Sequence, residues 1–225
     1  MQFKRFSRTS SAYGHARRFR QVFWGVALMI GFLAPAGARP LHLVALGDSL
    51  TAGYLLPADA AFPAVLQRAL REKGVEVEID NAGVSGDTSA GLLARLDWAL
   101  GDGADGAIVE IGANDMLRGL DPQMTRKNIE AICARLREKN IPFVIAGMRA
   151  APNLGGPYAD AFEPLFRDLA RQYDVPLYPF FLEGVAGHAE RQLPDGLHPN
   201  RAGVEAIVAG MLPMTLEWLG RIGKK

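Results

Sequence analysis

The sequence predicts one α/β domain, a three-layer α/β/α sandwich in which helices cover both faces of a parallel sheet of about five strands. Short apolar runs alternate along the chain with longer segments of helical period, which is the pattern of such a sheet. The chain has 225 residues and is 49% hydrophobic. That length is enough to bury one core, but it is too short for two domains of ordinary size.

Five segments are predicted as strands, because each is a short, mostly apolar run bounded by turn signals. They cover residues 41–46, 75–79, 107–111, 143–147 and 175–181. The second segment alternates apolar and acidic residues, which is typical of an edge strand with one solvated face. The third is predicted to be a buried strand.

Helices are predicted between the strands, where apolar residues recur every three to four positions. They cover residues 62–73, 88–100, 122–139, 158–173 and 201–219, with loops at 155–157 and 184–194. Pro199 and Asn200 supply the start signal of the last helix. The expected arrangement is flavodoxin-like, and in such sheets ligand sites lie beyond the carboxyl ends of the strands.

The first 38 residues differ in composition from the rest. Six basic residues precede an apolar run at about 22–36, and small residues follow up to Ala38. This order is typical of an export signal, so we expect cleavage after Ala38 and a periplasmic or secreted domain over residues 39–225. An uncleaved membrane anchor is the alternative, although a span usually needs about 20 apolar residues. No stable membrane span is expected once the signal is removed.

Charge and cysteine content exclude several classes of protein. The first 38 residues hold six of the 25 basic residues and none of the 24 acidic ones, so the remainder is mildly acidic. Nucleic acid is not an expected partner, because basic patches with aromatic neighbours are missing from the sequence. Cys133 is the only cysteine, and its helical spacing from Ile129, Ile132 and Leu136 predicts a core position. We expect a monomer.

Polar clusters follow three of the predicted strands. They are Asp48-Ser49, residues 81–87 and Asn114-Asp115. Because the carboxyl ends of parallel strands meet at one rim, these clusters are expected to converge. Ser49 lies where a strand enters a turn and then a short helix, so its hydroxyl should lie beside unpaired backbone N–H groups. A serine becomes a useful nucleophile only with a base within hydrogen-bond reach.

His198 is the candidate base. Of the four histidines, His15 lies in the predicted signal, His42 in the first strand and His188 in a loop. His198 alone has a carboxylate at a short fixed offset, that of Asp195. An Asp in this position can orient the imidazole through Nδ1 and stabilise its protonated form. Taken alone, the Asp-x-x-His pattern favours a loop acid and a helix-start histidine that have no role.

The order of four motifs adds to this evidence. They are Gly47-Asp48-Ser49-Leu50, Gly86-Asp87-Thr88, the run from Glu110 to Gly119 that contains Asn114, and the run from Asp195 to Asn200. In this order and spacing the chain resembles the SGNH (GDSL) hydrolase superfamily. It looks most like the bacterial periplasmic thioesterase/lysophospholipase branch, whose members are often named arylesterases.

The resemblance implies a role for each matching residue. Ser49 would attack the acyl carbon, His198 would take up its proton and return it to the leaving group, and Asp195 would hold His198. The oxyanion would be met by the backbone N–H groups of Ser49 and Gly86 and by the side-chain amide of Asn114. Hydrolysis of this kind needs no metal or cofactor.

The resemblance also implies an apolar groove for the acyl chain beside the segment after the catalytic Asn. Here that segment presents Met116, Leu117 and Leu120, and a second loop follows at residues 148–155. We expect acyl or aryl esters as substrates, with thioesters and lysophospholipids as further candidates. Many relatives have a second glycine where this chain has Ala113, a change of small expected effect because the amide of the next residue is retained.

Two alternatives remain open from the sequence. The same scaffold could remove acetyl groups from a cell-envelope carbohydrate, or the chain could be a non-enzymatic binding domain that has kept the fold. The joint presence of Ser49, Asp195 and His198 argues against a binding domain, which needs no such set. Asp48 and Asp115 are interpreted as residues that fix loops.

Overall fold

The computed structural model describes residues 39–101 and 103–222, and the predicted export signal lies outside them. Within these residues, one sheet has the strand order β2-β1-β3-β4-β5. The strands are β1 (Leu41–Gly47), β2 (Val77–Gly83), β3 (Gly106–Glu110), β4 (Phe143–Ala146) and β5 (Leu177–Tyr178). Every neighbouring pair is parallel. The predicted parallel sheet is therefore confirmed, and its order is the flavodoxin-like one.

Seven α-helices accompany the sheet in the described part of the chain. They are α1 (Ser49–Ala52), α2 (Phe62–Glu72), α3 (Ser89–Leu100), α4 (Ala113–Leu117), α5 (Pro122–Glu138), α6 (Gly156–Tyr173) and α7 (Arg201–Ile222). Helix α2 packs against α7, whereas α3 and α6 both pack against α5. The two groups of helices cover the two faces of the sheet, which gives the predicted three layers.

Burial along the strands follows their place in the sheet. All five residues of the central strand β3 are buried, and so are all four of β4. Strands covered on both faces read as continuous apolar runs instead of alternating ones. In β2, Val77 and Ile79 are buried while Glu78 and Asp80 are exposed, so the predicted edge strand is confirmed.

Strand β5 is much shorter than predicted. The sequence indicated residues 175–181, but only Leu177–Tyr178 pair with β4. Pro176 and Pro179 flank this pair, and a proline has no N–H to donate to the ladder. The apolar pattern therefore continues beyond the residues that can form sheet hydrogen bonds.

Two other boundaries differ from the prediction. Strand β2 begins two residues later than expected and extends to Gly83, so Asn81 lies within the strand and not after it. Helix α6 begins at Gly156 with a proline in its first turn, which removes most of the loop predicted at 155–157. Proline is favoured there because the first helical N–H groups have no intrahelical acceptor.

Cys133 is fully buried together with Ile129, Ile132 and Leu136, as the helical spacing predicted. Burial raises the pKa of the Cys133 thiol to about 12, and the nearby Glu130 adds to the shift. Because the thiolate is the reactive form of cysteine, this side chain is a core residue and not a nucleophile.

Among the described residues, helix α7 is the one helix that is long enough and apolar enough, by composition, to suit a membrane span. It packs against α2, and its buried side chains include Val204, Ile207, Met211 and Trp218. An apolar surface that packs inside a domain is typical of a core helix. The domain core therefore accounts for the apolar composition of α7.

Candidate active site

Ser49 lies at the first position of α1, directly beyond the carboxyl end of β1. The carboxylate of Asp48 caps this helix by accepting the Leu50 N–H at 3.0 Å. The turn is tight because Gly47 has no side chain. A Cβ at Gly47 would collide with the Thr51 side chain and lie 2.7 Å from the carbonyl oxygen of Glu110. The turn therefore holds the serine in a fixed place against the end of β3.

Three side chains form a continuous hydrogen-bonded path at this rim. The Nε2 atom of His198 lies 2.8 Å from the Oγ atom of Ser49, although 149 positions separate the two residues. On the other side of the ring, Nδ1 lies 2.7 Å from an Asp195 carboxylate oxygen. The structure thus brings together the three residues that the sequence pointed to, in the order hydroxyl, imidazole, carboxylate.

The Asp195 carboxylate accepts three hydrogen bonds. One oxygen accepts the backbone N–H groups of Leu197 at 2.9 Å and His198 at 3.0 Å, and the other faces the His198 ring. Burial by itself raises the pKa of Asp195, but these hydrogen bonds outweigh it and lower the pKa to about 2. Hydrogen bonds to the charged form favour that form. Asp195 is therefore ionised at neutral pH.

The segment that carries His198 is anchored to the start of α7. The His198 carbonyl accepts the Leu193 N–H at 2.8 Å, and Gln192 forms an isolated antiparallel bridge with Pro199. Asn200 accepts the Gly203 N–H at 3.0 Å and thereby caps α7, as the predicted start signal requires. The imidazole is consequently held on a short closed loop that ends in a helix.

Gly86 presents a backbone N–H beside this path. Its φ of +88° is in the left-handed region, which glycine adopts without steric cost. Arg118 donates to the Gly86 carbonyl at 2.7 Å. Arg95 links the same loop to β1, because it donates to Asp87 at 2.6 Å and to the Gly47 carbonyl at 3.0 Å. Neither arginine was singled out from the sequence.

Asn114 reaches the same place from the start of α4. Its Nδ2 atom donates one hydrogen to Asp48 at 3.2 Å. An amide nitrogen carries two hydrogens, so the second remains available to a bound ligand. The N–H of Ser49 is also available, since the first N–H groups of a helix have no intrahelical acceptor. Ser49, Gly86 and Asn114 all line the same cavity.

A cavity of about 250 Å³ opens beside Ser49 and His198. Gly86 and Asn114 lie in its wall, and most of the remaining lining is apolar. The apolar lining residues are Leu50, Tyr54, Ala113, Met116, Leu117, Met148, Leu182 and Leu197. Met116 and Leu117 therefore line this cavity, whereas Leu120 does not.

The residues of this site lie within a region that matches a known family. The sequence profile of the GDSL-like Lipase/Acylhydrolase family matches residues 45–206. The chain belongs to this family. The match begins in β1 and ends in α7, so it spans the whole sheet together with the cavity. The predicted resemblance is confirmed.

Named relatives of this hydrolase agree with the family. It is 38% identical over 169 residues to an arylesterase of Vibrio mimicus, covering 75% of this chain and 84% of the relative. It is 40% identical over 186 residues to thioesterase 1/protease 1/lysophospholipase L1 of Escherichia coli (strain K12), covering 81% and 88%. The crystal structure of AlinE4, an SGNH-hydrolase family esterase, superposes with a TM-score of 0.69 at 42% identity, covering 81% and 98%. The hydrolase is an enzyme that cleaves esters, as predicted.

Behind Ser49 the hydrolase buries two carboxyl groups, those of Asp48 and Glu110, both fully inaccessible. Burial raises the pKa of Asp48 to about 6, despite hydrogen bonds from Leu50 and Asn114. Burial also raises the pKa of Glu110 well above its usual range, and the neighbouring Asp48 carboxylate raises it further. Burial thus disfavours the charged form of both groups.

Sequence reasoning missed the Glu110 pairing and one aromatic contact. The signal for Glu110 was available, since it is the one acidic residue at the end of an otherwise apolar strand. Tyr54 lies against the His198 ring in a tilted arrangement, with 4.5 Å between ring centroids and an angle of 36°. No motif pointed to Tyr54.

Asp115 was expected to fix a loop. In the structure it joins two helices, because from α4 it accepts the backbone N–H of Ser89 at 2.7 Å and the Ser89 hydroxyl at 2.5 Å at the start of α3.

Proposed function

We propose that this hydrolase cleaves acyl and aryl esters, and also thioesters and lysophospholipids, through an acyl-enzyme formed on Ser49. The observation that carries the proposal is the hydrogen-bonded path from Ser49 through His198 to Asp195 beside an apolar cavity. The His198 base lies 2.8 Å from the serine hydroxyl and is oriented by the Asp195 carboxylate. Nucleophilic catalysis by a serine needs this arrangement.

In the first half of the reaction, the Ser49 oxygen attacks the carbonyl carbon of the ester. Its proton passes to Nε2 of His198, and the Asp195 carboxylate stabilises the imidazolium that forms. The negative charge that develops on the carbonyl oxygen is met by the donors from Gly86, Asn114 and the Ser49 N–H. Collapse of the tetrahedral intermediate breaks the ester bond, and His198 returns the proton to the departing alcohol or thiol.

In the second half, water hydrolyses the acyl-enzyme. His198 removes a proton from the water as it attacks the acyl carbon, and the same three donors meet the second oxyanion. The bond to Ser49 then breaks, the serine oxygen recovers its proton from His198, and the carboxylic acid leaves. Each half transfers one proton in each direction, so the enzyme returns to its starting state.

The lining of the cavity supports an acyl substrate over an acetylated sugar. The cavity offers apolar surface from Leu50, Met116, Met148 and Leu182. Burial of an alkyl chain against such a surface is favourable by about 0.8 kcal/mol per CH₂. A sugar would instead place hydroxyl groups against these side chains without hydrogen-bond partners, which is unfavourable. We therefore favour an acyl chain longer than acetyl.

The test is hydrolysis of nitrophenyl esters of graded chain length by the domain over residues 39–225 and by Ser49→Ala. We expect the substitution to lower kcat by roughly 10⁴- to 10⁶-fold, because nucleophile and base act as a unit. Thermal melting should show that the variant remains folded. Labelling by a fluorophosphonate should occur at Ser49 in the unmodified protein alone. Full activity of Ser49→Ala would overturn the proposal.

We further propose that residues 1–38 direct export and are removed after Ala38. The basic residues, the apolar run and the small residues that follow it support this reading. Sequencing of the amino terminus of protein from a periplasmic fraction should give Arg39 as the first residue. Recovery of the uncut chain in the membrane fraction would indicate the anchored alternative instead.

A further inference from the structure

Exposed apolar side chains surround the mouth of the cavity. Few large hydrophobic residues of the described chain are well exposed to solvent, and five of them lie at or next to this mouth. Three line the cavity and two adjoin a lining residue in the chain. This group, called the apolar rim below, consists of Tyr54, Leu55, Val84, Leu117 and Leu197. An exposed cluster of this kind marks a site of interaction more often than chance placement.

Leu55 is the most unusual member of the apolar rim. It is 74% exposed and has a φ of +57°, in the left-handed region that bulky residues avoid. It belongs to the turn after α1, in which the N–H groups of Gly53 and Tyr54 both bond to the Ser49 carbonyl. Strain that persists at one residue points to a function there. Here the strained turn presents an aliphatic side chain outward, next to the tyrosine that covers His198.

Trp98 offers a contrast elsewhere in the molecule. It is 81% exposed, but it lies near the end of α3, nine positions after the helix begins, or about 14 Å along the axis. The chain then returns to the start of β1, where the backbone N–H of Asp105 donates to the His42 carbonyl. Trp98 is thus close to the amino ends of the strands, whereas the apolar rim lies at their carboxyl ends. Exposure at Trp98 therefore cannot serve the cavity.

We propose that the apolar rim docks the mouth of the cavity against the surface of a zwitterionic phospholipid aggregate. The inference rests on the proposed function, because it concerns how a lipid-like ester reaches Ser49. The rim is continuous with the apolar lining, since Tyr54, Leu117 and Leu197 belong to both. An acyl chain can then pass from one apolar medium to the other without crossing water.

Charge at the same place matches a phospholipid surface. The exposed Arg118 follows Leu117 of the rim, and its guanidinium is tethered to the Gly86 carbonyl at 2.7 Å. A guanidinium keeps its charge at all relevant pH values and has further N–H donors for a phosphate. Aliphatic side chains beside a tethered cation suit a layer that presents phosphate above alkyl chains.

The experiment compares vesicle binding by the unmodified domain, Leu55→Asn, Val84→Ser and the control Trp98→Ser. The vesicles are of phosphatidylcholine containing some lysophosphatidylcholine, and bound protein is measured by flotation. Asparagine tolerates the left-handed region, so Leu55→Asn should melt no lower than the unmodified protein. We expect each rim substitution to weaken vesicle binding by about tenfold. Trp98→Ser should bind as the unmodified protein does.

A water-soluble short-chain nitrophenyl ester separates docking from chemistry. All four proteins should hydrolyse it with the same kcat/KM, because the three substituted residues do not line the cavity. Absence of vesicle binding by the unmodified domain, or an equal loss in Trp98→Ser, would overturn docking by the rim. A dimer in solution that Leu55→Asn dissociates would do so too, since a second copy would then cover the rim. Failure to hydrolyse any ester would instead refute the proposed function.

Discussion

Two carboxyl-bearing regions lie on either side of Ser49, and their properties are opposite. Behind the serine, Asp48 and Glu110 are fully buried and their pKa values are raised. In front of it, Asp195 is partly exposed and its pKa is lowered to about 2. The pKa of the same chemical group is thus raised at Glu110 and lowered at Asp195, within the same site.

The difference lies in the hydrogen bonds that each carboxyl group receives. Asp195 accepts two backbone N–H groups and faces the His198 ring. One oxygen of Glu110 accepts the Thr51 hydroxyl at 2.8 Å, and the other has no partner among the described residues. Donors stabilise a negative charge, whereas burial with few donors disfavours it. The pKa is therefore lowered at Asp195, which faces the His198 ring, and raised at Glu110, which lies near the Asp48 carboxylate.

The largest effect is expected from Asp195→Asn, which removes the charge in front of the serine. An amide can present an N–H to Nδ1 and so favour the wrong tautomer of His198, and it cannot stabilise the imidazolium. We expect kcat to fall by about 10⁴-fold, measured with a soluble nitrophenyl ester. Glu190→Gln is the matched control, because Glu190 faces His188 at 3.3 Å on the same stretch of chain and should have no effect. Equal losses in both variants would contradict this role for Asp195.

A smaller effect is expected from Asp48→Asn, behind the serine. Asparagine is an equally good N-cap, so α1 should form and the melting temperature should hold. Its NH₂ group cannot accept the hydrogen bond from Asn114, however, and one donor to the oxyanion loses its orientation. We expect kcat to fall by about 10²- to 10³-fold with little change in KM.

Asp121→Asn supplies the control for that measurement. Asp121 also caps a helix, since it accepts the Gln123 N–H at 2.9 Å at the start of α5, and it does not line the cavity. Its substitution should leave kcat unchanged. If Asp48→Asn were as active as Asp121→Asn, the link from Asp48 to Asn114 would have no catalytic consequence.

The smallest kinetic effect is expected from Glu110→Gln, because Glu110 does not line the cavity and glutamine has nearly the same shape. Its signature is the pH dependence of stability. A raised pKa in the folded state stabilises the protein below the unfolded pKa of about 4.3, and this stability is lost as the pH rises towards the folded value, by about 1.4 kcal/mol per unit. The unmodified protein should therefore lose stability relative to Glu110→Gln as the pH rises above about 4.3.

Urea unfolding at several pH values measures this difference. Glu78→Gln is the control, because Glu78 is exposed on the edge strand and should leave the slope with pH unchanged. A parallel course for Glu110→Gln and the unmodified protein would mean that Glu110 is already charged in the native state, and the contrast between the two regions would disappear.

The sheet and the central residues of the site were open to prediction for different reasons. Strands β1, β3 and β4 are buried on both faces, so their apolar runs are unmistakable. Ser49, Asp195 and His198 were identified because a serine needs a base and a base needs an orienting acid, and these demands leave few candidates. The motif order then placed Gly86 and Asn114 beside them.

The sequence alone did not predict the direction of side chains in short segments. Met116 and Leu117 lie in the five-residue helix α4 and reach the cavity, but Leu120 follows Gly119 outside that helix and does not. A helix of one turn has too few residues to show a period, and its formation depends on tertiary packing. The strained turn at Leu55 was equally invisible, because leucine rarely adopts a positive φ and so gives no signal for one.

The position of His198 at the start of the last helix has a consequence for the time at which activity begins. Protein synthesis delivers the reactive serine early and its partner almost 150 residues later. Helix α7, which follows His198, packs against α2, so a late element of the domain holds the segment that carries the imidazole. A truncated chain that ends before Asp195 would lack both the imidazole and its carboxylate, and we expect its serine to be no more reactive than one in a free peptide. Hydrolysis should therefore require the last part of the domain.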